Sequence, residues 1–199
     1  MAWSVGAATL PKRGQAIPGD AAWTWTAETQ ARVVVADGVG HGRRAAAVLE
    51  SLQRSGVLGP STDPEELLRR MHAVLQGSIG AVCMVVDVSV GPGRTHVRWS
   101  GVGNVRLWTQ HAVNQPVEGR PGVVGQRLPH RLEVRDLTMT GRERIFVATD
   151  GVRRSVEAAS RQLPRSCDSL DHVHSLLHAH HNPSDDGTLV VLCPGPETA

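Results

Sequence analysis

The stretch ARVVVADGVGHGRRAAAVLE, residues 31–50, decides how the chain is read. Arg32 to Ala36 make an apolar, β-branched run of strand length, so they read as a buried strand. Asp37 ends that strand. Gly38, Gly40 and Gly42 then surround His41, and an alanine-rich helical run follows. Three chemistries want such a corner. A dinucleotide fits Gly40-x-Gly42-x-x-Ala45, which formally matches a Rossmann fingerprint. A plain strand-to-helix turn fits glycines, with Asp37 capping the helix. A metal fits a carboxylate presented at a strand end.

The segments on either side weigh on that choice. A dinucleotide fold needs a strand after the helix, ending in an acid about 20 residues on. Here a turn and a second helix follow, and Asp63 reads as that helix's cap. In DPEELLRRMHAVLQGS, Asp63 suits the N-cap, Pro64 suits N1, and Glu65 and Glu66 suit the first turn. Leu67, Leu68, Met71, Val74 and Leu75 form its apolar stripe. Upstream, TWTAETQARVVVAD predicts two strands joined by a polar turn, with Trp23 and Trp25 on one face.

The middle of the chain is rich in strands. AVCMVVDVSV reads as a buried strand, and GPG turns it into the alternating RTHVRWSGV. GN at 103–104 reads as a tight hairpin into VRLWTQHAV, with Asn104 in left-handed turn conformation. QPVEGRPGVVGQRLP is loop-like. LEVRDLTM and RERIFVATD add two strands. A helical pair follows over about 152–160 and 168–180. GTLVVLCP is the last strand, and the tail, GPETA, is expected to fray. Helices come in pairs, with antiparallel strands between the pairs. That order predicts an α+β domain in which helices lie over antiparallel sheets, and not a doubly wound parallel sheet.

Composition narrows the class. A chain of 199 residues is long enough for one packed domain, taken as 1–199. No run of eighteen apolar residues predicts a membrane span, and the N-terminus lacks the pattern of a signal peptide, so the expectation is cytoplasmic. A net charge of +2 with scattered basic residues is no nucleic-acid footprint. Cys83, Cys167 and Cys193 are far apart and without a Cys-x-x-Cys, which suggests neither a disulfide scaffold nor a zinc ribbon, and Cys83 and Cys193, in apolar strand-like runs, read as buried inert thiols.

The metal reading gains from three further acidic sites. Asp20 lies in IPGDAAW, Asp150 in FVATDGV, and Asp185 and Asp186 in NPSDDGTLVVL. RVVVAD and RIFVATD both run a strong β stretch into Asp-Gly. Strands that end in carboxylates gather negative charge at one rim, where repulsion and burial are costly. A hard divalent cation relieves both, and Mg²⁺ and Mn²⁺ prefer carboxylate, carbonyl and water ligands.

In order, AxPGD, VVxADGVGHG, GVGN, FVATDGV and SDDGTLVVL resemble the motifs of the PPM (PP2C-like) metal-dependent serine/threonine phosphatases. ADGxGHG, in place of DGHxG, is similar to the bacterial SpoIIE branch. The short chain, with no sensor or kinase-like segment, resembles the stand-alone stressosome phosphatases of the RsbX type. The resemblance implies a four-layer α-β-β-α sandwich with two Mn²⁺ or Mg²⁺ ions at its edge. It implies that Asp37 bridges the ions and that the Gly38 carbonyl, Asp20, Asp150 and Asp185 complete their shells. Asp186 is then a turn residue or a third-metal ligand, and His41 a candidate proton donor. Asn104 is a turn residue or a substrate contact.

The implied substrates are phosphorylated STAS-domain proteins of a stressosome-like complex, bound by a monomer with no nucleic-acid or membrane partner. The alternatives are a catalytically silent module that keeps the fold and a hydrolase of small phosphate esters. The sequence departs from many family members in having no Glu paired before Asp20, no histidine directly after Asp37-Gly38, and no near arginine. The arginine that many members carry close before the first acid is missing, and Arg13 stands seven residues before Asp20. Finally, His174, His178 and His181 have helical spacing that would put them on one face. With no Glu in an HExxH pattern they read as a solvated face.

Overall fold

The stretch that opens at Ala31 is a strand, β3 (Gln30–Gly38), and its neighbours follow from it. The structure, a computed structural model, describes residues 3–60, 63–111, 115–140, 143–163 and 169–195. Cys167 and the tail residues 196–199 lie outside these. The other strands are β1 (Trp3–Leu10), β2 (Asp20–Thr26), β4 (Ala81–Gly91), β5 (Arg94–Val102), β6 (Arg106–Thr109), β7 (Val117–Glu118), β8 (Arg135–Thr140), β9 (Ile145–Ala148) and β10 (Gly187–Pro194). The helices are α1 (Arg43–Ser55), α2 (Pro64–Leu75), α3 (Ser155–Arg161) and α4 (Ser169–His180).

The strands form two antiparallel sheets, ordered β2-β3-β4-β5-β8 and β1-β10-β9-β6-β7. Between the sheets lies a core that includes Val33, Val35, Val86, Trp99, Val147 and Val190. Strand alternation sends the other face of the first sheet, Val34, Ala36, Cys83 and Val85, against Leu49 and Leu52 of α1 and Leu67 and Met71 of α2. On the far side, Trp108, Phe146 and Val191 of the second sheet meet Val156 of α3 and Val173 and Leu177 of α4. These three cores separate four layers, so the expected α-β-β-α sandwich is found.

Local signals act as the sequence predicts at most element ends. The Asp63 carboxylate accepts the Glu65 N–H at 3.0 Å and caps α2. Gly56, in left-handed conformation, ends α1. Val74 is the exception on α2. It is 37% exposed, so the buried face is narrower than the apolar stripe predicts.

One connection overturns the sequence reading. β5 and β6 do not form a hairpin, because β5 pairs with β4 and β8 while β6 pairs with β9 and β7 in the other sheet. Gly103, with φ 92°, turns the chain across the gap between sheets, and Asn104 does not take a positive φ. β6 is buried on both faces, with Leu107 in the inter-sheet core and Trp108 under the helices. A strand so buried has the sheet interior as its place, and a tight hairpin at a sheet margin does not provide that.

At the end of the first sheet away from Asp37, Arg32 and Asp87 face each other across β3 and β4. Arg32 Nε donates to Asp87 Oδ1 at 2.5 Å and Nη2 to Oδ2 at 2.6 Å. Arg32 is only 4% exposed, so losing its partner strands a buried charge. Asp87→Ala is expected to cost about 3 kcal/mol in urea unfolding. The double replacement of Arg32 and Asp87 by leucine is expected to cost clearly less. Equal losses would show that the ion pair is not what Arg32 requires.

Candidate metal centre

Strand register makes the first half of the site. Asp20 opens β2 and Asp37 stands near the end of β3, and the two are direct cross-strand partners. Pairing places their Cα atoms side by side at one end of the first sheet. The second sheet supplies the other half. Asp150 follows β9, Asp185 precedes β10, and those strand ends are neighbours, with Ala148 opposite Leu189. Asp37, Asp150 and Asp185 line one cavity of about 340 Å³. Asp20 lies behind Asp37 and is 5% exposed. A larger cavity, about 640 Å³, lies over Arg32 and Asp87 at the opposite end of the sheet and holds none of these four acids.

The two rims are fastened to each other. Thr149 Oγ1 donates to Asp20 Oδ2 at 2.7 Å, and the Thr188 N–H donates to Thr149 Oγ1 at 2.8 Å. A short chain of bonds thus runs from β10 through the β9 end to β2. Sequence reading missed Thr149, whose only signal is its place before Asp150. Asn104, carried by the sheet-crossing turn, donates from Nδ2 to Asp150 Oδ2 at 2.7 Å. It holds one carboxylate oxygen of Asp150 and leaves the other available.

The turn that carries Asp150 is braced from beneath by Arg106. That guanidinium hydrogen-bonds the Val152 carbonyl and pairs with Glu157 of α3 at 2.5 Å. Gly151 packs so closely on the Asp186 backbone that any Cβ there would coincide with the Asp186 carbonyl. The His181 ring reaches the same loop, its Nε2 donating to the Asp185 carbonyl at 2.9 Å. His181 lies past the end of α4, so it does not share a helix face with His174 and His178, which are exposed.

Asp186 is placed differently. Its Oδ1 accepts the Lys12 N–H at 2.7 Å and its Oδ2 the Gly19 N–H at 2.8 Å. At 2% exposure it is a buried clamp between the β10 entry and the chain leading into Asp20. Both oxygens are engaged by backbone, and Asp186 does not line the cavity.

The glycine corner has a packing reason. The Gly38 N–H donates to the Gly19 carbonyl at 2.9 Å, and Ala45 of α1 sits on both residues. A Cβ on Gly38 would come within 2.8 Å of the Ala45 carbonyl oxygen. The alanine-rich start of α1 is therefore what lets the helix approach the acid rim. Asp37 does not cap that helix. Gly42 precedes it with no side-chain cap, so the capping role falls, while Gly40 and Gly42, both at positive φ, do make the strand-to-helix turn. His41 and Gly40 line the cavity from this side.

The acids are held against their charge. Burial first, then the charges of Asp20, Asp150 and Asp185, push the Asp37 carboxyl up to about 9. Burial likewise raises Asp20 to about 7, against the hydrogen bond from Thr149 that favours its charged form. Asp20 Oδ1 is buried and has no hydrogen-bond partner. A buried carboxylate oxygen with nothing bonded to it, facing other carboxylates, fits a cation. Among the described residues no three His, Cys, Asp or Glu side chains close into a tight cage. The oxygen-only donor set around an open cavity suits a hard ion that keeps several waters, as Mg²⁺ does.

A stability dependence follows. Both carboxyls bind protons more tightly folded than unfolded, so the folded state gains from them fully below the usual carboxylate range, near pH 4. That gain is lost as pH rises through about 7 for Asp20 and about 9 for Asp37. With EDTA present, the Tm is expected to fall between pH 5 and pH 9, and millimolar Mg²⁺ or Mn²⁺ is expected to flatten the fall. A flat profile in EDTA would show that neither burial nor mutual repulsion holds these carboxyls above their ordinary range.

The sequence profile of Stage II sporulation protein E (SpoIIE) matches residues 27–194. No curated protein matches the chain in sequence. Solved structures match throughout. A chain described with the bacterial stressosome, a modular system adapted to control secondary messenger signalling, superposes with a TM-score of 0.78 at 22% identity, over 96% of this chain and 98% of that one. RsbX in complex with magnesium gives 0.75 at 19%, over 96% and 95%. The PP2C phosphatase domain of SpoIIE from Bacillus subtilis, solved with a fragment of its regulatory domain, gives 0.80 at 16%, over 99% of this chain and 64% of that one. At these identities the structures speak for the fold, and the profile, covering most of the chain and all of ADGVGHG, speaks for descent: the chain belongs to the SpoIIE family, whose Bacillus subtilis member carries a PP2C phosphatase domain.

Proposed function

We propose that the chain removes phosphate from phosphoserine and phosphothreonine on bacterial signalling proteins, using two divalent ions, Mg²⁺ or Mn²⁺. The observation that carries this reading is the buried Asp20 oxygen without a partner, set behind a cavity lined by Asp37, Asp150 and Asp185. Asp37, paired with Asp20 and facing both acids of the second sheet, is the residue to bridge the ions. The Gly38 carbonyl and Asp20 would serve the first-sheet side, and Asp150 and Asp185 the second-sheet side. When bound, two such ions acidify a shared water and offset charge that builds on the phosphoryl group.

The chain's own contribution is placement. Thr149 holds one Asp20 oxygen and leaves the other open. Asn104 does the same for Asp150, so it acts by positioning a ligand and not as a hairpin residue. Asp186, with both oxygens on backbone amides, is assigned to the clamp and not to a third ion. His41 lines the cavity with no bond to these acids among the described residues, and it enters the reading as a wall residue.

The substrates we propose are phosphorylated STAS-domain proteins of a stressosome-like complex. Similarity to RsbX, and to a chain described with the bacterial stressosome, supports this, since both alignments run nearly end to end. No described helix is long and apolar enough to cross a membrane.

The reaction is tested on a phosphorylated STAS-domain protein with Mn²⁺, beside free nucleotides. Turnover of the phosphoprotein and not of nucleotides is expected, with activity lost in EDTA. Asp37→Asn is expected to lower kcat/KM by roughly a thousandfold or more, since it removes the bridging charge. Full activity of that variant would end the two-metal reading. Asn104→Ala is expected to weaken Mn²⁺ binding about 10- to 100-fold, as loss of a ligand's hydrogen-bond partner does. Unchanged Mn²⁺ affinity would remove Asn104 from the site.

A further inference from the structure

Lys12 is the single lysine of the chain, and it lines the same cavity as Asp37, Asp150 and Asp185. Among the described residues only its backbone is engaged. Its N–H is held by Asp186 Oδ1, and its carbonyl accepts the Gln15 N–H at 2.9 Å. The next residue is fastened as well, with the Arg13 N–H donating to the Pro183 carbonyl at 2.9 Å. The β1–β2 loop is thus tied to the loop that carries Asp185 by bonds on both sides of Lys12. Among the described residues no hydrogen bond or ion pair engages its ammonium, although three carboxylates line the cavity beside it.

Charge explains why an unpaired cation belongs there. With two divalent ions bound, Asp20, Asp37, Asp150 and Asp185 would all be ionised, and the ions would cancel their four negative charges. A phosphate monoester arrives as a dianion and would meet a cavity with no net attraction. Apart from His41, Lys12 is the only basic residue lining that cavity among the described residues. No arginine stands between Arg13 and Asp20. A lysine ammonium is a compact charge on a flexible stem with three donors, suited to phosphoryl oxygens that move during reaction.

We propose that the Lys12 ammonium receives the phosphate of the substrate, and holds inorganic phosphate after reaction, from the wall formed by the β1–β2 loop. The Asp186 clamp sets the position of that loop. Lys12 is then a substrate-binding residue carried by the β1–β2 loop. This assignment rests on the phosphatase reading above, and its test separates the two.

Inorganic phosphate is the probe, titrated calorimetrically into the Mn²⁺-loaded full chain. Lys12→Gln is expected to weaken phosphate binding about tenfold or more, as loss of a charged hydrogen-bond partner does. Lys12→Arg is expected to recover most of it. Mn²⁺ affinity, titrated separately, is expected to stay within about twofold, because Lys12 touches anion and not metal. With a phosphopeptide the Lys12→Gln loss is expected to fall more on KM than on kcat.

Phosphate binding by Lys12→Gln equal to that of wild type overturns the assignment, as does failure of the Mn²⁺-loaded wild type to bind phosphate. A loss traced wholly to weaker Mn²⁺ binding also overturns it, since Lys12 would then only brace the loop. Lys12-dependent phosphate binding by a protein that hydrolyses no phosphoprotein supports the assignment and ends the phosphatase reading instead.

Discussion

Repulsion among carboxylates at one shared rim governs this molecule. Asp20 and Asp37 are forced side by side by antiparallel register, and Asp150 and Asp185 face them from the second sheet. Burial removes the water that would screen them, so Asp37 holds its proton up to about 9. Such an arrangement costs stability unless a cation offsets it. The rest of the fold answers that cost by holding the rim rigid. Three apolar cores keep the two sheets and both helical layers in place behind it.

Rigidity at the rim comes from hydrogen bonds that leave one oxygen of each carboxylate unengaged. Thr149 takes one oxygen of Asp20, Asn104 takes one oxygen of Asp150, and each carboxylate keeps a second oxygen. Asp186 spends both of its oxygens on backbone amides. Two adjacent aspartates in the same Asp-Asp-Gly turn thereby have opposite duties. Asp185 lines the cavity, and Asp186 ties the β10 entry to the loop that delivers Lys12 and Asp20. Chemistry alone does not separate neighbours of the same type; backbone direction does.

Much of the fold was legible because local rules were obeyed. The Asp63 cap, Pro64, the glycine stop at Gly56 and the apolar runs of β3, β4 and β10 each declare an element by short-range physics. The acids were legible because strand ends followed by Asp-Gly recur in an order shared with a known family. What was misread lay in connections. GVGN has the composition of a hairpin, yet the chain crosses there between sheets, because the apolar residues of β6 bury on both sides. Asn104 changed role with it, from a turn residue to the partner of Asp150. His181 likewise left the face of α4 for the Asp185 carbonyl once α4 ended at His180.

The amino-acid sequence by itself determined which residues could be ligands, where strands and helices begin, and that helices must cover antiparallel sheets. Those properties depend on side-chain chemistry and on periodicities of a few residues, which a linear chain displays in full. Only the tertiary structure decided which oxygens remain open and which are spent on Thr149, Asn104 and backbone amides. It alone put the one lysine at the acid cavity, through a loop without periodicity. Hydrogen bonds between residues more than a hundred positions apart, such as Thr149 to Asp20, leave no spacing pattern to read. They exist only once two sheets have packed and brought their ends to a common edge.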